Sequence, residues 1–454
     1  MTGKQGHVEP NDQIITVDPQ SSPRDIAQAL SGLHPADAAH ALARANIDGE
    51  LLTKILSELD TDLAADVVIN LDEHTVEDIL DVLEPPEIAE ITTELESDDA
   101  ADVVGLLDED KKARVLSQLD TDYRRAVEDL LQYTDESAGG IMASELVYVK
   151  RDASVDDAIA LIRAAADEVE EIHNVYITDR GGKLSGVLSL GALLLARRGT
   201  RVGEIMESDV VSVSADMDQE DVAKVFMKYD LLAIPVVDTS GKLVGRITVD
   251  DIMDVIHDEA EEDITLMAGT RDDEIHEDST LRVSWIRLPW LVIGALGGLA
   301  SASVMSLYSF SLEKVLALAF FIPVITAMGG NVGLQTSTII VRGMHSDGGL
   351  ESDAGSRLLR EWRIAITNAV VLGVAVFVVV GTWLRDWILA GVVGGALSTV
   401  ILVAATLGTI MPFTLRRLGI DPAVAQGPFV TTLNDIIGIL VYLGLATMFL
   451  DMLG

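Results

Sequence analysis

The stretch AFFIPVITAMGGNVGLQTSTIIV, residues 319–341, decides how the rest of the chain is read. It lies in an uncharged run, Val315 to Val341, and about 20 apolar residues suffice to cross a bilayer core. Its middle, Met328 to Gln335, nevertheless holds three glycines, Asn331 and Gln335, and is poor in helix formers. Such backbone persists in a membrane only beside protein or water. If the helix continues past the glycines, Asn331, Gln335 and Thr338 fall at i, i+4 and i+7 on one stripe. That stripe serves either as an interhelical seam with hydrogen bonds as glue or as the wall of a wet path.

Four further uncharged runs flank this one: Leu288 to Leu312, Ile364 to Leu384, Trp387 to Leu415, and Pro422 to Leu450, the last broken only by Asp435. Five transmembrane helices are predicted. Arg342, Arg357, Arg360 and Arg363 lie between the second and third, and Arg416 and Arg417 between the fourth and fifth, whereas the other two links offer only Lys314 and Arg385. Basic loops stay inside, so the N-terminal part is expected in the cytoplasm and the C-terminus outside. Asp435 costs several kcal/mol in that setting unless paired, protonated or wetted, and no cationic side chain lies at comparable depth. A mobile cation is the most economical partner; a protonated structural carboxyl is the other reading.

Upstream the composition inverts. Lys and Arg number 22 against 64 Asp and Glu over residues 1–281, and 10 against 9 over 282–454, within a net charge of −41. This disfavours nucleic acid and points to cations as partners, although 22 Arg against 10 Lys also suits a protein adapted to high cytosolic salt. Cysteine is absent, which excludes disulfides, thiolate metal sites and cysteine nucleophiles. Met1 to Pro10 lacks the apolar core of a signal peptide.

Residues 21 to about 135 repeat a short helical unit, clearest at Glu58 to Val68 and again at Glu94 to Val104. Each copy starts at an Asp or Pro suited to a helix start, which predicts a stacked, superhelical domain with an Ala, Leu and Val core and an acidic surface. After Gly139-Gly140, β-branched runs alternate with helical stretches. Ile141 to Val149 with a helix over 154–165 matches Ile205 to Val213 with a helix over 218–228, each followed by two strands around a Gly turn. This duplicated order predicts two copies of one small α/β module. They resemble a tandem pair of CBS (cystathionine-β-synthase) domains, which commonly bind adenine nucleotides such as ATP. Thr248-Val-Asp-Asp251 is similar to their ribose-contacting Thr-x-x-Asp pattern, while Ser189 to Ala192 of the first module lacks the Asp.

No basic residue occurs between Arg246 and Arg271, yet eight acids crowd Asp250 to Asp263. A helix puts Asp251, Asp254 and Asp258 on one face and Glu259, Glu262 and Asp263 on a neighbouring one, a like-charged array that either binds something positive or is a linker screened by salt.

The whole order resembles the MgtE family of magnesium channels. The most specific matches are Pro323 to Gln335, similar to the family's P-x5-G-G-N-x-G-x-Q signature, and Asp421 to Asp435 leading into the fifth span. Some members carry further asparagines where this chain has Leu334 and Gly427. The expected layout is a flexible terminus (1–20), a superhelical N domain (21–136), CBS modules (137–200 and 201–257), an acidic connecting helix (258–281) and a membrane domain (282–454), with spans at about 286–310, 314–341, 362–384, 387–415 and 426–451. The resemblance implies a non-enzymatic homodimer in the cell (inner) membrane. Its pore would carry hydrated Mg²⁺ past Asp435, walled by Asn331, Gln335 and Thr338, and cytosolic Mg²⁺ would close it. By motif position the implied gating ligands are Asp98, Asp102, Asp218, Glu220, Asp230, Asp251, Asp254, Glu259, Glu262, Asp263 and Asp421; Thr248 and Asp251 would meet any nucleotide. The competing expectation is a carrier coupling Mg²⁺, Mn²⁺ or Co²⁺ to H⁺ or Na⁺. An intramembrane metalloprotease is disfavoured, since no His-Glu-x-x-His and no histidine within a span occur.

Overall fold

The computed structural model describes residues 17–45, 47–165, 172–270, 279–346 and 354–453. Most of the expected flexible terminus and residues 271–278 of the expected connecting segment lie outside the described residues. The chain divides into two compact units, Met1–Ile256 and His257–Gly454.

In the first unit, short helices run from α1 (Pro23–Leu30) to α9 (Thr121–Leu130). Acid and proline set their starts. Asp48, Asp72, Asp108 and Asp120 accept hydrogen bonds from backbone N–H groups of the turns that follow, and Pro35 and Pro85 open two other helices. Several helices pack on the next but one, which coils the row into a superhelix. The repeated Ala-Ala-x-Val-Val element is the buried face of α4 (Thr61–Ile69) and α7 (Ser97–Gly105), where small side chains admit neighbouring helices.

Two α/β modules follow. The first has β1 (Tyr148–Lys150), α10 (Val155–Ala165), β2 (Asn174–Thr178), β3 (Leu184–Ser189) and α11 (Leu190–Leu195). The second has α12 (Val202–Ile205), β4 (Val213–Ser214), α13 (Gln219–Tyr229), β5 (Ala233–Val237), β6 (Leu243–Thr248) and α14 (Val249–Ala268). In each sheet the first pair is parallel and the second antiparallel, the hairpins turning at Gly182 and Gly241 with φ of 85° and 82°. The lead-in segments are exchanged: Ala143 bridges to Arg246 of β6, and Val187 of β3 to Glu207. A Cβ on Gly245 or Gly186 would lie 2.5 Å from the sulfur of Met142 or Met206, which explains the glycine each copy keeps there.

Helix α14 begins in the first unit and ends in the second. There, among the described residues, five helices are long and apolar enough to cross a membrane. They are α15 (Thr280–Leu307), α17 (Ala317–Ser346), α18 (Ala354–Leu384), α19 (Trp387–Arg417) and α20 (Pro428–Met448), with the short α16 (Ser309–Lys314) and α21 (Leu450–Leu453) beside them. α15 and α18 start six to eight residues before the expected spans, because the apolar run marks only the lipid-crossing part while the helix continues through Arg282, Arg287 and Arg357. α19 is the most enclosed span, with Val393, Ala396, Leu397 and Ile401 at its centre.

α17 is unbroken through Pro323 and its glycines. The glycines are packing devices. A Cβ on Gly333 would collide with Nδ2 of Asn434, one on Gly329 would stand 3.1 Å from Val400, and one on Gly408 of α19 would stand 2.5 Å from the Gly333 carbonyl. Close approach of α17 to α19 and α20 therefore needs hydrogen where a methyl would be.

Candidate functional site

On α17 the glycines and the amides fall on separate faces. Its interhelical seam is made by Gly329, Gly330 and Gly333, with Gly330 facing the Thr431 methyl at 3.7 Å. Asn331 and Gln335 lie on a different face; both are exposed and make no hydrogen bond among the described residues. Thr338 donates to the Leu334 carbonyl at 2.9 Å. Asp435 is half-buried on α20, between Asn434, which is turned into the Gly333 seam, and the turn carrying Thr432, which packs on Gly297 of α15. No described side chain pairs with or donates to the Asp435 carboxylate. Unpartnered amides and a carboxylate on apolar spans are what a water-lined surface offers.

Near the start of α20, Asp421 caps the 3₁₀ turn Pro422–Gln426, accepting from the Ala423 N–H at 2.6 Å. The last turn of α14 lies beside this turn: a Cβ on Gly427 would stand 3.7 Å and 3.8 Å from the Leu266 and Met267 carbonyls. The acidic helix thus ends at the head of the span that carries Asp435, with Glu259, Glu262 and Asp263 on its preceding turns.

In the first unit, the fold brings together acids 150 residues apart in sequence. Asp98 and Asp102 project from α7 beside Asp251 of α14. Asp98 is 8% exposed and its Oδ1 has no hydrogen-bond partner among the described residues. Burial, followed by the charges of Asp99, Asp251, Glu96 and Glu145, drives its carboxyl well above the usual range. Asp102 keeps an accessible surface, yet the surrounding protein bulk and then Asp135, Asp251 and Glu73 push its carboxyl up to about 7. Burial also raises Asp251, opposed by hydrogen bonds from Thr248. All major charges acting on Asp98 and Asp102 are negative.

Other expected ligands have local tasks. Asp218 caps α13, Glu220 pairs with Lys224 at 3.0 Å, and Asp230 ends the same helix in the left-handed region at φ 51°. Asp254 is exposed on α14. Among the described residues, no three Asp, Glu or His side chains are gathered closely enough to form a metal site by themselves. Thr248 and Asp251, offered as nucleotide contacts, are bound to each other: the Thr248 N–H and Oγ1 donate to Asp251 Oδ2 at 3.0 and 2.7 Å, closing the first turn of α14.

Sequence reasoning passed over Glu96, Ser97, Glu145 and Arg246. Glu96 Oε1 and Oε2 accept from Arg246 Nη2 at 2.7 and 2.8 Å, and Arg246 Nε donates to the Glu145 carbonyl at 3.1 Å. Ser97 Oγ donates to Glu145 Oε2 at 2.8 Å. The available signal was Arg246 itself, the last basic residue before a long acidic stretch.

Comparison with known proteins gives matches in both units. Residues 322–445 match the MgtE divalent cation transporter model, 33–136 the MgtE intracellular N domain, and 138–199 and 202–258 the CBS domain. The chain is 39% identical over 337 residues to the magnesium transporter MgtE of Thermus thermophilus, covering 72% of this chain and 73% of that one. It is 36% identical over 329 residues to the Bacillus subtilis protein of the same name, with the same coverage. Among solved structures, the cytosolic domain of the Mg²⁺ channel MgtE in complex with ATP aligns at 37% identity and TM-score 0.48, over 51% of this chain and 94% of that one.

Proposed function

Since the chain belongs to the MgtE family of magnesium transporters, we propose that it conducts Mg²⁺ passively through a pore lined by Asp435 and closes when cytosolic Mg²⁺ binds the first unit's acids. The observation that carries the pore is the Asp435 carboxylate, set in a membrane span with no partner among the described residues. Asn331 and Gln335, exposed on α17, and Thr338 near them, supply neutral oxygens for a hydrated ion. Mg²⁺ gives up its waters reluctantly, so sparse carboxylates in a wet passage suit it better than a dry cage. The polar faces are completed by a second copy in a homodimer, with the acidic units in the cytoplasm and the C-terminus outside.

The gate is an electrostatic balance. Asp98, Asp102 and Asp251 repel one another when α7 and α14 are close, and a divalent ion between them removes that repulsion. The unmet Asp98 Oδ1 is a suitable acceptor for such an ion, and a site with fewer than three gathered carboxylates leaves coordination positions for water, as Mg²⁺ prefers. Glu259, Glu262 and Asp263 of α14, with Asp421 at the head of the last span, are the second unit's share of the sensor. Asp218, Glu220, Asp230 and Asp254 have supporting parts at its edge. The ion shifts the gate only by binding the closed arrangement more tightly than the open one. An adenine nucleotide at Thr248 and Asp251 would tune this balance by breaking their mutual hydrogen bonds.

The deciding experiment is Mg²⁺ flux in liposomes with inner and outer Mg²⁺ varied independently and no H⁺ or Na⁺ gradient. A channel conducts down its Mg²⁺ gradient and shuts as Mg²⁺ rises on the side of the acidic units. Flux that requires an H⁺ or Na⁺ gradient would make the protein a coupled carrier.

A further inference from the structure

The acids that make up the sensor do not all act in the same direction. Two residues before Asp98, Glu96 is engaged with a buried cation: Arg246 is 5% exposed and its Nη2 holds both Glu96 oxygens at 2.7 and 2.8 Å. Arg246 lies on β6 in a small cleft between the two α/β modules, lined also by Glu145, His173, Tyr176 and Ala233. Glu96 stands at the N-cap position of α7 with its carboxylate on Arg246 rather than on the helix, so the N-terminal superhelix reaches into the module pair with this side chain. A hydrogen-bonded cluster adjoins it. Ser97 Oγ donates to Glu145 Oε2, the Ser144 N–H donates to Ser97 Oγ at 2.9 Å, and the two serine hydroxyls are 2.8 Å apart.

We propose that Glu96 and Arg246 form a metal-independent latch that holds the N-terminal helices on the α/β modules and sets how much Mg²⁺ is needed to close the gate. This rests on the gating reading above and adds a residue of opposite effect. Withdrawing α7 breaks an ion pair whose guanidinium is 5% exposed, and breaking a buried ion pair is costly. The latch therefore favours docking, while repulsion among Asp98, Asp102 and Asp251 opposes it. Magnesium tips a balance that the latch has already brought close to even. Without the latch, metal binding alone would have to overcome the whole repulsion.

The two possible roles of Glu96 predict opposite signs. As one more repelling acid, its neutralisation would let α7 dock at lower Mg²⁺; as the latch, its neutralisation raises the requirement. The test uses the full-length chain in lipid nanodiscs and follows protease cleavage within residues 17–137 as Mg²⁺ is raised. Glu96→Gln is expected to raise the Mg²⁺ concentration for half-protection about tenfold. Arg246→Gln should do the same, the double variant should be no worse than either alone, and Arg246→Lys, which keeps the charge but loses the two-oxygen grip, should fall between. An unchanged or lowered midpoint for Glu96→Gln overturns the latch, as do effects that multiply in the double variant. Glu96→Gln preserves size and shape, so its result stands even if the Arg246 variants fold poorly. Wild-type cleavage that ignores Mg²⁺ would refute the gating reading itself, and the latch with it.

Discussion

Asp98→Asn isolates the electrostatic cost built into the sensor. The wild-type carboxylate is 8% exposed, its Oδ1 has no partner among the described residues, and Asp99, Asp251, Glu96 and Glu145 all act on it with the same sign. Leaving a buried polar group unsatisfied costs about 1–3 kcal/mol, and more when it is charged. An amide of the same shape removes the charge and the four repulsions, so the metal-free docked arrangement gains about 1–3 kcal/mol, a shift of roughly 5- to 150-fold in its population. The substitution also removes an oxygen anion that would hold the ion, so docking becomes less dependent on the ion as well as easier. The N-terminal helices of Asp98→Asn should then resist protease in chelator almost as well as wild type does in saturating Mg²⁺, and flux into liposomes should be low throughout. If Asp98→Asn is cleaved in chelator as fast as wild type and needs more Mg²⁺ for protection, repulsion at this position does not hold the gate open.

Four other outcomes are expected. Asp435→Asn, which keeps the shape and removes the charge, should abolish Mg²⁺ flux while leaving Mg²⁺-dependent protease protection intact. Asp251→Asn, Asp254→Asn and Glu259→Gln together should leave a pore that conducts but no longer responds to Mg²⁺; normal closure in that variant would remove α14 from the mechanism. Acid should partly replace the metal. The docked arrangement raises Asp98 and Asp102 above their ordinary range, so it binds extra protons, is most favoured at low pH, and loses that contribution as pH rises through about 7 for Asp102. Protease protection in chelator should therefore increase from pH 8 to pH 6, and Asp102→Asn should flatten the change. Gly333→Ala forces a methyl into the Asn434 amide and should cost about 1–3 kcal/mol, read as a lower thermal midpoint in detergent.

Local signals determine much of this protein. The five spans follow from uninterrupted apolar length, a property of consecutive residues that survives any packing. The helical repeat and the duplicated modules follow from recurring Ala-Ala-x-Val-Val and Ile-Met patterns, because each copy must bury the same face in the same way. Asp435 stood out because a carboxylate in an apolar run is expensive wherever its neighbours lie. Helix ends were less legible, since α15 and α18 continue through arginines that leave the apolar run but not the helix.

What the linear chain left open was sign and direction. The α17 stretch could be a glued seam or a wet wall, and only packing showed that the glycines take the seam and leave Asn331 and Gln335 exposed. Among acids that look alike in sequence, Asp98 is buried without a partner to one of its oxygens, Asp218 and Glu220 are spent on a helix cap and a lysine, and Glu96 grips a buried arginine. The charge of a side chain is fixed by its residue type, but whether that charge attracts or repels depends on what the fold places within a few ångströms. For Glu96 and Arg246 the partner is 150 residues away.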